Sequence, residues 1–201
     1  MAYFVDGVSL SRAPAFVNAD FVGFETKVPD LDRRAAINRT LRTGDQILGD
    51  DTPRLLKFTR KRDKLPDIFV THLGAHVVSS RLAALIERFD PGLHQLIPLE
   101  TLRGPENDLQ RYILNIHHSL DGVVDQMSDV GLIQHTGGKL QITKYPPRLT
   151  LSLEVPKVLS LWRDRRLMPG FFLSDALYDA MKSVGIKFFR DIYKTTEPLL
   201  N

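Results

Sequence analysis

The six histidines of this chain make a metal site the first chemistry to consider. His72 and His76 are four residues apart, the spacing at which two ligands share one face of a helix. Gly74 lies between them, and the flanking residues favour a strand or a loop over a helix. His117 and His118 are adjacent on a predicted strand, where their side chains point to opposite faces and cannot share an ion. The sequence therefore predicts no metal site.

Residues for covalent catalysis follow no known motif either. The chain has no cysteine, and it contains no G-x-S-x-G elbow, Walker A loop, dinucleotide fingerprint or H-E-x-x-H motif. Ser79 and Ser174 each precede an amphipathic segment, so we interpret them as helix N-caps and not as nucleophiles. Glu106 and Asp108 lie in a turn without the apolar surroundings that an acid–base pair needs. We expect no enzyme and no cofactor, and an active site assembled from distant residues is the alternative.

A third candidate is a series of acidic side chains in the middle of the chain. Asp121, Asp125 and Asp129 recur at intervals of four, so a helix here would carry them as one uncompensated acidic line. Val124 and Met127 would then pack inward. Like charges at this spacing oppose a helix mildly, so a functional reason for them is one of two interpretations. The alternative is a solvated loop whose aspartates cap turns.

Two similar segments are expected to organise the fold. Residues 65–99 have the pattern of a strand, a helix and a strand, and residues 171–192 repeat this order at an offset of 95. The matching pairs are Val78 and Leu173, Ser79 and Ser174, Leu82 and Leu177, Ile86 and Met181, and Phe89 and Val184. An apolar stripe at helical spacing in both copies predicts two helices that pack on a sheet.

Short strands dominate the remainder of the chain. The predicted strands are residues 2–5 and 21–25, a hairpin of 93–100 with 111–120, and a hairpin of 132–136 with 139–143 around Gly137-Gly138. A short helix is predicted between residues 29 and 43, ended by Gly44, whereas residues 121–135 fit a polar helix or a long loop. We predict an α+β fold, mostly antiparallel sheet with a duplicated strand-helix-strand unit and few helices. We expect a single domain over residues 1–201.

Composition and charge indicate the compartment and the type of partner. The absence of cysteine fits a reducing compartment, and no stretch has the length and apolarity of a signal peptide or membrane span, so we expect a cytoplasmic protein. Residues 67–130 carry 4 basic and 9 acidic side chains, whereas residues 1–66 carry 12 and 9 and residues 131–201 carry 11 and 6. This uneven layout is compatible with a charged protein partner or with an ordinary solvated surface. We expect no contact with nucleic acid or membrane.

Several short motifs, taken in their order and spacing, resemble a known family. They are Leu65-Pro66-Asp67 before a strand, Val78-Ser79 at a helix start, Ile97-Pro98-Leu99 in a strand, residues 112–116 ahead of Asp121, and Leu173-Ser174 with residues 185–188 in the second unit. Over residues 65–193 the chain resembles the bacterial polymorphic-toxin immunity proteins called family eleven, a Myxococcus-type immunity domain. Residues 1–64 are less distinctive. The basic run Arg163–Arg166 and the Gly137-Gly138 hairpin depart from the family pattern.

The resemblance implies a cytoplasmic immunity protein that binds and neutralises a cognate toxin domain in competition between bacteria. It carries no catalytic residues over to this chain. The toxin interface that we predict is acidic and consists of Glu106, Asp108, Asp121, Asp125 and Asp129. A basic edge at Arg163–Arg166 facing an acidic toxin is the alternative interface. A small-ligand or regulatory module, or an enzyme with an unrecognised site, are the alternative functions.

Overall fold

The computed structural model describes residues 1–6, 19–22, 31–49, 52–58, 65–71, 73–102, 110–134, 136–155, 159–167, 170–186 and 192–197. The helices of this part are α1 (Leu31–Thr43), α2 (Ser80–Phe89) and α3 (Asp175–Ser183), with a 3-10 turn at Asp125–Met127. The strands are β1 (Ala2–Asp6), β2 (Ala19–Phe21), β3 (Leu55–Phe58), β4 (Ile68–Val70), β5 (His76–Ser79), β6 (Gln95–Leu102), β7 (Arg111–Asn115), β8 (Ser119–Leu120), β9 (Val130–Leu132), β10 (Leu140–Ile142), β11 (Leu161–Asp164), β12 (Gly170–Ser174) and β13 (Ile192–Lys194).

These strands form two large sheets and a small ribbon. The six-stranded sheet has the order β2-β3-β6-β7-β5-β4, the five-stranded sheet has the order β13-β1-β12-β11-β8, and β9 pairs with β10. Most of these neighbours are antiparallel, while β3–β6 and β8–β11 are parallel. The predicted α+β fold with mainly antiparallel pairing is therefore confirmed. The two predicted hairpins are present as β6–β7 and β9–β10, but their strands differ from the prediction. Strand β9 covers Val130–Leu132 and not residues 132–136, and the strand predicted at residues 111–120 ends at Asn115, so His117 and His118 lie between β7 and β8 and not on a strand.

The first 60 residues follow the predictions less closely. The predicted strand at residues 2–5 and the helix that ends before Gly44 are present as β1 and α1. The strand predicted at residues 21–25 is displaced, because β2 covers Ala19–Phe21 and residues 23–25 lie outside the described part.

The duplicated unit is present as two hairpins that each continue into a helix. In the first, β4 and β5 precede α2, and in the second, β11 and β12 precede α3. Ser79 N donates to Asp67 O at 2.8 Å, and at the matching place Ser174 N donates to Ser160 O at 2.9 Å. Both predicted N-caps are confirmed, since the Ser79 and Ser174 hydroxyls accept from the third residue beyond them, at 3.3 and 3.2 Å.

Helices α2 and α3 pack against each other in opposite directions. Arg81 at the start of α2 donates to Val184 O and Gly185 O beyond the end of α3, at 3.4 and 3.3 Å. At the other end, Asp90 follows α2 and accepts from Leu161 N, on the strand beside the start of α3. Together the helices fill a central core between the two sheets, with Leu82, Leu85, Ile86, Leu177 and Met181.

The predicted match between the two helices fails at its last pair. Phe89 packs against the central core, whereas Val184 is 49% exposed. The reason is that α3 ends at Ser183, and Gly185, with a φ of 69°, turns the chain away so that Val184 stands in the C-cap position.

Side chains alternate between the two faces along each strand. Each large sheet therefore has a second core on the face away from the central core. On β5, Val78 enters the central core while Val77 packs under α1 with Ile37. On β12, Phe171 faces the central core while Phe172 packs with Trp162 on the other side. Each large sheet is thus covered on both faces. None of the helices in the described residues is long and apolar enough to span a bilayer.

Shortening a core leucine side chain of α2 or of α3 should destabilise the whole fold. Leu82 and Leu177 are fully buried, so Leu82→Ala or Leu177→Ala should lower the free energy of unfolding by roughly 2–5 kcal/mol. Leu102→Ala, at a position that is 45% exposed on β6, is the control and should change it by less than about 0.5 kcal/mol. Thermal melts unchanged in both core variants would contradict the helix-on-sheet packing.

Candidate functional site

The acidic series Asp121, Asp125 and Asp129 does not lie on a helix. Residues 121–129 contain only a single 3-10 turn, at Asp125–Met127, and otherwise run beside residues 148–152. Val124 N donates to Thr150 O at 2.9 Å and Ser152 N donates to Gly122 O at 2.8 Å. Of the two alternatives for this stretch, a polar helix and a loop, the helix is wrong, because pairing with a distant segment satisfies the backbone groups that a helix would have used.

Arginines compensate the acidic series, whereas the sequence suggested an uncompensated acidic line. Arg166 Nη1 lies 2.9 Å from Asp125 Oδ1, and Arg166 Nε lies 3.9 Å from Asp121 Oδ1. Arg165 Nε is also 3.9 Å from Asp121 Oδ1. Asp121 and Arg165 remain largely in solvent, with 54% and 64% of their side chains exposed. The surface at this end of the molecule is therefore a mixed network of two aspartates and two arginines.

Asp129 has the role that the alternative prediction gave it. Its Oδ2 accepts from Arg148 N at 2.8 Å, and its backbone oxygen accepts from Thr143 N at 3.0 Å. The carboxylate thus closes the turn that brings residue 148 against residues 128–130. Glu106 and Asp108 lie outside the described residues.

Only part of the basic run Arg163–Arg166 is exposed, so it is not the continuous basic edge of the alternative prediction. Arg163 and Asp164 are 4% and 1% exposed. Asp164 accepts four backbone N–H groups, from Gly122 and Val123 at 2.8 Å each, Arg166 at 2.8 Å and Leu167 at 3.2 Å. A fully bonded buried carboxylate of this kind fixes the path of residues 120–124 and cannot also bind a partner.

Arg163 joins the end of α1 to the end of β7. Its guanidinium donates to Leu41 O in the last turn of α1 and to Ile116 O. Carbonyls in a last helical turn lack intrahelical partners, so the cation satisfies one of them. Burial lowers the pKa of Arg163 to about 10, which leaves the side chain charged at neutral pH. Gly44 is required beside it, because an added Cβ would meet Ile116 O at 2.4 Å.

Asp90 makes a second buried junction, between α2 and β11. Its carboxylate accepts from Ser160 N at 3.2 Å and Leu161 N at 2.8 Å. His94 Nε2 lies 3.2 Å from Oδ2 of the same carboxylate. The His94 ring packs edge-on against the His118 ring, with ring centroids 5.7 Å apart. The pKa of His94 is lowered by its burial, although Asp90 opposes this. The pair has the Asp and His of a catalytic triad, but the other ring nitrogen, His94 Nδ1, is buried and meets no serine hydroxyl among the described residues.

The histidines do not gather into a recognisable metal centre. In the described part of the chain, no group of three or more His, Asp or Glu side chains is placed to hold a metal ion. His72 and His135 lie outside the described residues, so the expectation of a metal-free protein remains a prediction.

Comparison with known proteins identifies the family. The immunity protein family Imm11 matches residues 25–193, well over half of the chain, and the chain belongs to that family. The match begins about 40 residues before the stretch in which the sequence motifs are distinctive, so it also takes in α1 and β3. Comparison with curated proteins gave no match.

Lowering the pH should destabilise the protein through His76. The His76 ring packs edge-on against the Phe171 ring, with ring centroids 5.2 Å apart. Burial, with the nearby charge of Arg163, lowers the pKa of His76 from 6.5 to about 4. Between these values the unfolded chain takes up a proton that the folded chain does not, so stability rises with pH across this window. We expect the free energy of unfolding to be lower at pH 4 than at pH 7, with a contribution from His76 on the order of 2 kcal/mol.

Urea unfolding of the wild type and of His76→Gln at several pH values between 4 and 7 measures this contribution. The variant should lose part of the pH dependence, and His94 and His117, whose pKa values burial also lowers, contribute to the part that remains. Identical slopes of stability against pH in the two proteins would refute the assignment.

Proposed function

We propose that this chain is an antidote that binds a cognate toxin domain noncovalently, in the cytoplasm of the cell that makes both. Membership of the immunity protein family is the observation that carries this proposal. In this reading the protein acts by occupying the toxin, so it needs a stable scaffold and an exposed recognition surface and no reactive group.

The hydrogen bonds of several polar side chains within the fold also support the proposal of a binding protein without a reactive group. Ser79 and Ser174 have hydroxyls engaged as helix caps. Asp90 and Asp164 are surrounded by backbone N–H groups that they bind. Side chains that are fully bonded within the fold are poorly suited to bind and turn over a substrate.

We further propose that the toxin contacts Asp121 and Asp125. Asp121 is the more available of the two, because its arginine contacts are long and the carboxylate is half exposed. A lysine or arginine of the toxin can replace Arg165 at Asp121 without breaking a short ion pair. Asp125 keeps its pairing with Arg166, which fixes its position for a partner.

The balance of charge predicts how this contact acts. With Asp164, which lies 3.5 Å from Arg166 Nε, the network of three aspartates and two arginines has one net negative charge, so long-range steering of a basic toxin by these groups should be weak. The contribution is instead short-range complementarity, which acts mainly on the dissociation rate. Asp129 holds the adjoining turn, and Glu106 and Asp108 are proposed to extend the acidic surface from the connection between β6 and β7.

Reversing the charge of Asp121 should weaken toxin binding without unfolding the protein. For Asp121→Lys we expect the dissociation constant to rise about tenfold, which corresponds to about 1.4 kcal/mol, mostly through faster dissociation. The free energy of unfolding should change by less than about 1 kcal/mol, since the ion pairs that it breaks are exposed and long. Binding kinetics with the toxin domain encoded beside this gene, together with growth of cells that express both, measures the effect.

Glu100→Lys is the matched control, because it makes the same charge reversal at an exposed position of β6, on the other sheet. It should leave binding and protection unchanged. A folded Asp121→Lys variant that binds and protects as well as Glu100→Lys would remove Asp121 from the interface. Asp125→Lys is less suitable, because it would break the 2.9 Å pair with Arg166.

A further inference from the structure

Arg165, the first residue after β11, has a guanidinium whose terminal nitrogens are available to a partner. Its Nε donates to Ser119 O at 3.1 Å and lies 3.9 Å from Asp121 Oδ1, whereas Nη1 and Nη2 form no hydrogen bond or ion pair with the described residues. The side chain is 64% exposed. A guanidinium that is held through Nε presents the planar fork of Nη1 and Nη2, which matches the geometry of a carboxylate.

The other two arginines of the run Arg163–Arg166 are used within the fold. Arg163 is 4% exposed and donates to backbone carbonyls. Arg166 donates through Nη1 to Asp125 at 2.9 Å and through Nη2 to Val123 O at 2.6 Å. Arg165 is therefore the arginine of this run whose guanidinium can meet a partner.

The fold holds Arg165 in place without help from Asp121. Its backbone N donates to Leu120 O at 3.0 Å, and its backbone O accepts from Lys139 Nζ at 2.7 Å. With the bond from Nε to Ser119 O, three hydrogen bonds fix the residue and the base of its guanidinium. A side chain that is already oriented loses less conformational entropy when a partner binds.

Lys139 adds a second positive charge beside Arg165. It is exposed directly before β10, and its ammonium binds the backbone oxygen of Arg165 and no carboxylate of the described residues. Within the described part of the chain, Asp121 is the one carboxylate that pairs with either cation, and it does so at 3.9 Å.

Binding of the toxin would remove this compensation. In the complex proposed above, Asp121 binds a lysine or arginine of the toxin in place of Arg165. Arg165 and Lys139 would then be two adjacent cations within an interface, and such cations are costly there unless the partner supplies a negative charge.

We propose that Arg165 is a specificity-determining residue of the toxin interface, where Nη1 and Nη2 bind an aspartate or glutamate side chain of the toxin and Lys139 adds a second positive charge. This inference rests on the proposed function and adds the chemistry of the surface that is recognised. The toxin carries an acidic side chain next to the basic one that meets Asp121, so each protein contributes one cation and one anion. A toxin that offers only the basic side chain leaves Arg165 unpaired and is thereby rejected.

The affinity of Arg165 variants for the toxin domain that binds the wild type tests this role. For Arg165→Glu we expect the dissociation constant to rise about tenfold or more, and for Arg165→Gln, which removes the charge without reversing it, about fivefold. Arg54→Glu, an equal charge reversal at an exposed position before β3 on the other sheet, is the control and should change it less than about twofold. The melting temperatures of all three variants should stay within about 3 °C of the wild type, because both positions are exposed.

A charge swap separates pairing with a carboxylate from an effect on the fold. The acidic residues of the toxin domain are replaced by arginine one at a time. One of these toxin variants should bind the wild type about tenfold more weakly and should recover most of that loss with Arg165→Glu. A purely structural effect of Arg165→Glu would weaken binding to every toxin variant and would not be reversed.

The outcomes separate the two proposals. If the toxin binds the wild type, and Arg165→Gln binds it as tightly or more tightly, Arg165 only screens Asp121, so this inference is wrong and the antidote function stands. The absence of any toxin variant that Arg165→Glu rescues would overturn the inference in the same way. Unchanged toxin binding by Arg165→Glu, together with loss of affinity for a duplex DNA oligonucleotide, would assign the two cations to nucleic acid instead. If the toxin does not bind the wild type, the proposed function fails and this inference fails with it.

Discussion

Contact between the two capped helices is the constraint on which the rest of the structure depends. Each strand-helix unit has one apolar helix face, and neither unit alone could cover it. The antiparallel arrangement buries both faces at once and brings the two sheets to either side of one core. Asp67 strengthens the contact, because it binds both the Ser79 hydroxyl at 2.7 Å and Arg81 Nε at 2.6 Å. Arg81 is thereby oriented toward Val184 O and Gly185 O, the two carbonyls beyond the end of α3 to which it donates.

Buried charged side chains hold the other elements in place. Because these side chains are used within the fold, a partner must bind other charged side chains, which lie on the surface. Asp90 ties α2 to β11, Asp164 ties β11 to residues 122 and 123, and Arg163 ties β11 to α1. Strand β11 is thus the common partner of three buried ionic groups. Removing one of these side chains leaves the backbone groups that it binds buried and without a hydrogen bond, which is costly. The charged groups on the surface include those of the irregular segments around residues 121–129 and 148–155, where a rigid scaffold usually carries its recognition residues.

The fold was predictable where local pattern determines structure. The stripe at Leu82 and Ile86, the caps at Ser79 and Ser174, and the glycine pair of the β9–β10 hairpin each specify an element through residues a few positions apart. Strand order was not predictable in the same way. For example, β6 follows α2 in the chain but lies between β3 and β7 in the sheet.

The candidate site was predictable only in part, because its decisive contacts join distant residues. Asp164 and Gly122 are separated by 42 positions, and Asp90 and Leu161 by 71. No local signal shows that Arg163 is buried or that Arg166 neutralises Asp125, so the acidic line and the basic edge seemed independent. They are one network, and the long-range pairing of residues 122–124 with 150–152 creates it.

The most direct test of the account is the stoichiometry with which the purified chain inhibits the toxin domain proposed as its partner. A noncovalent antidote should reduce toxin activity linearly to zero at one equivalent, and denaturing the complex, separating the chains and refolding the toxin should restore the activity. Loss of activity that proceeds with time at substoichiometric amounts, or that survives this separation, would show that the protein acts as a catalyst. An undiminished toxin at an excess of the protein would show that it is no antidote to that toxin.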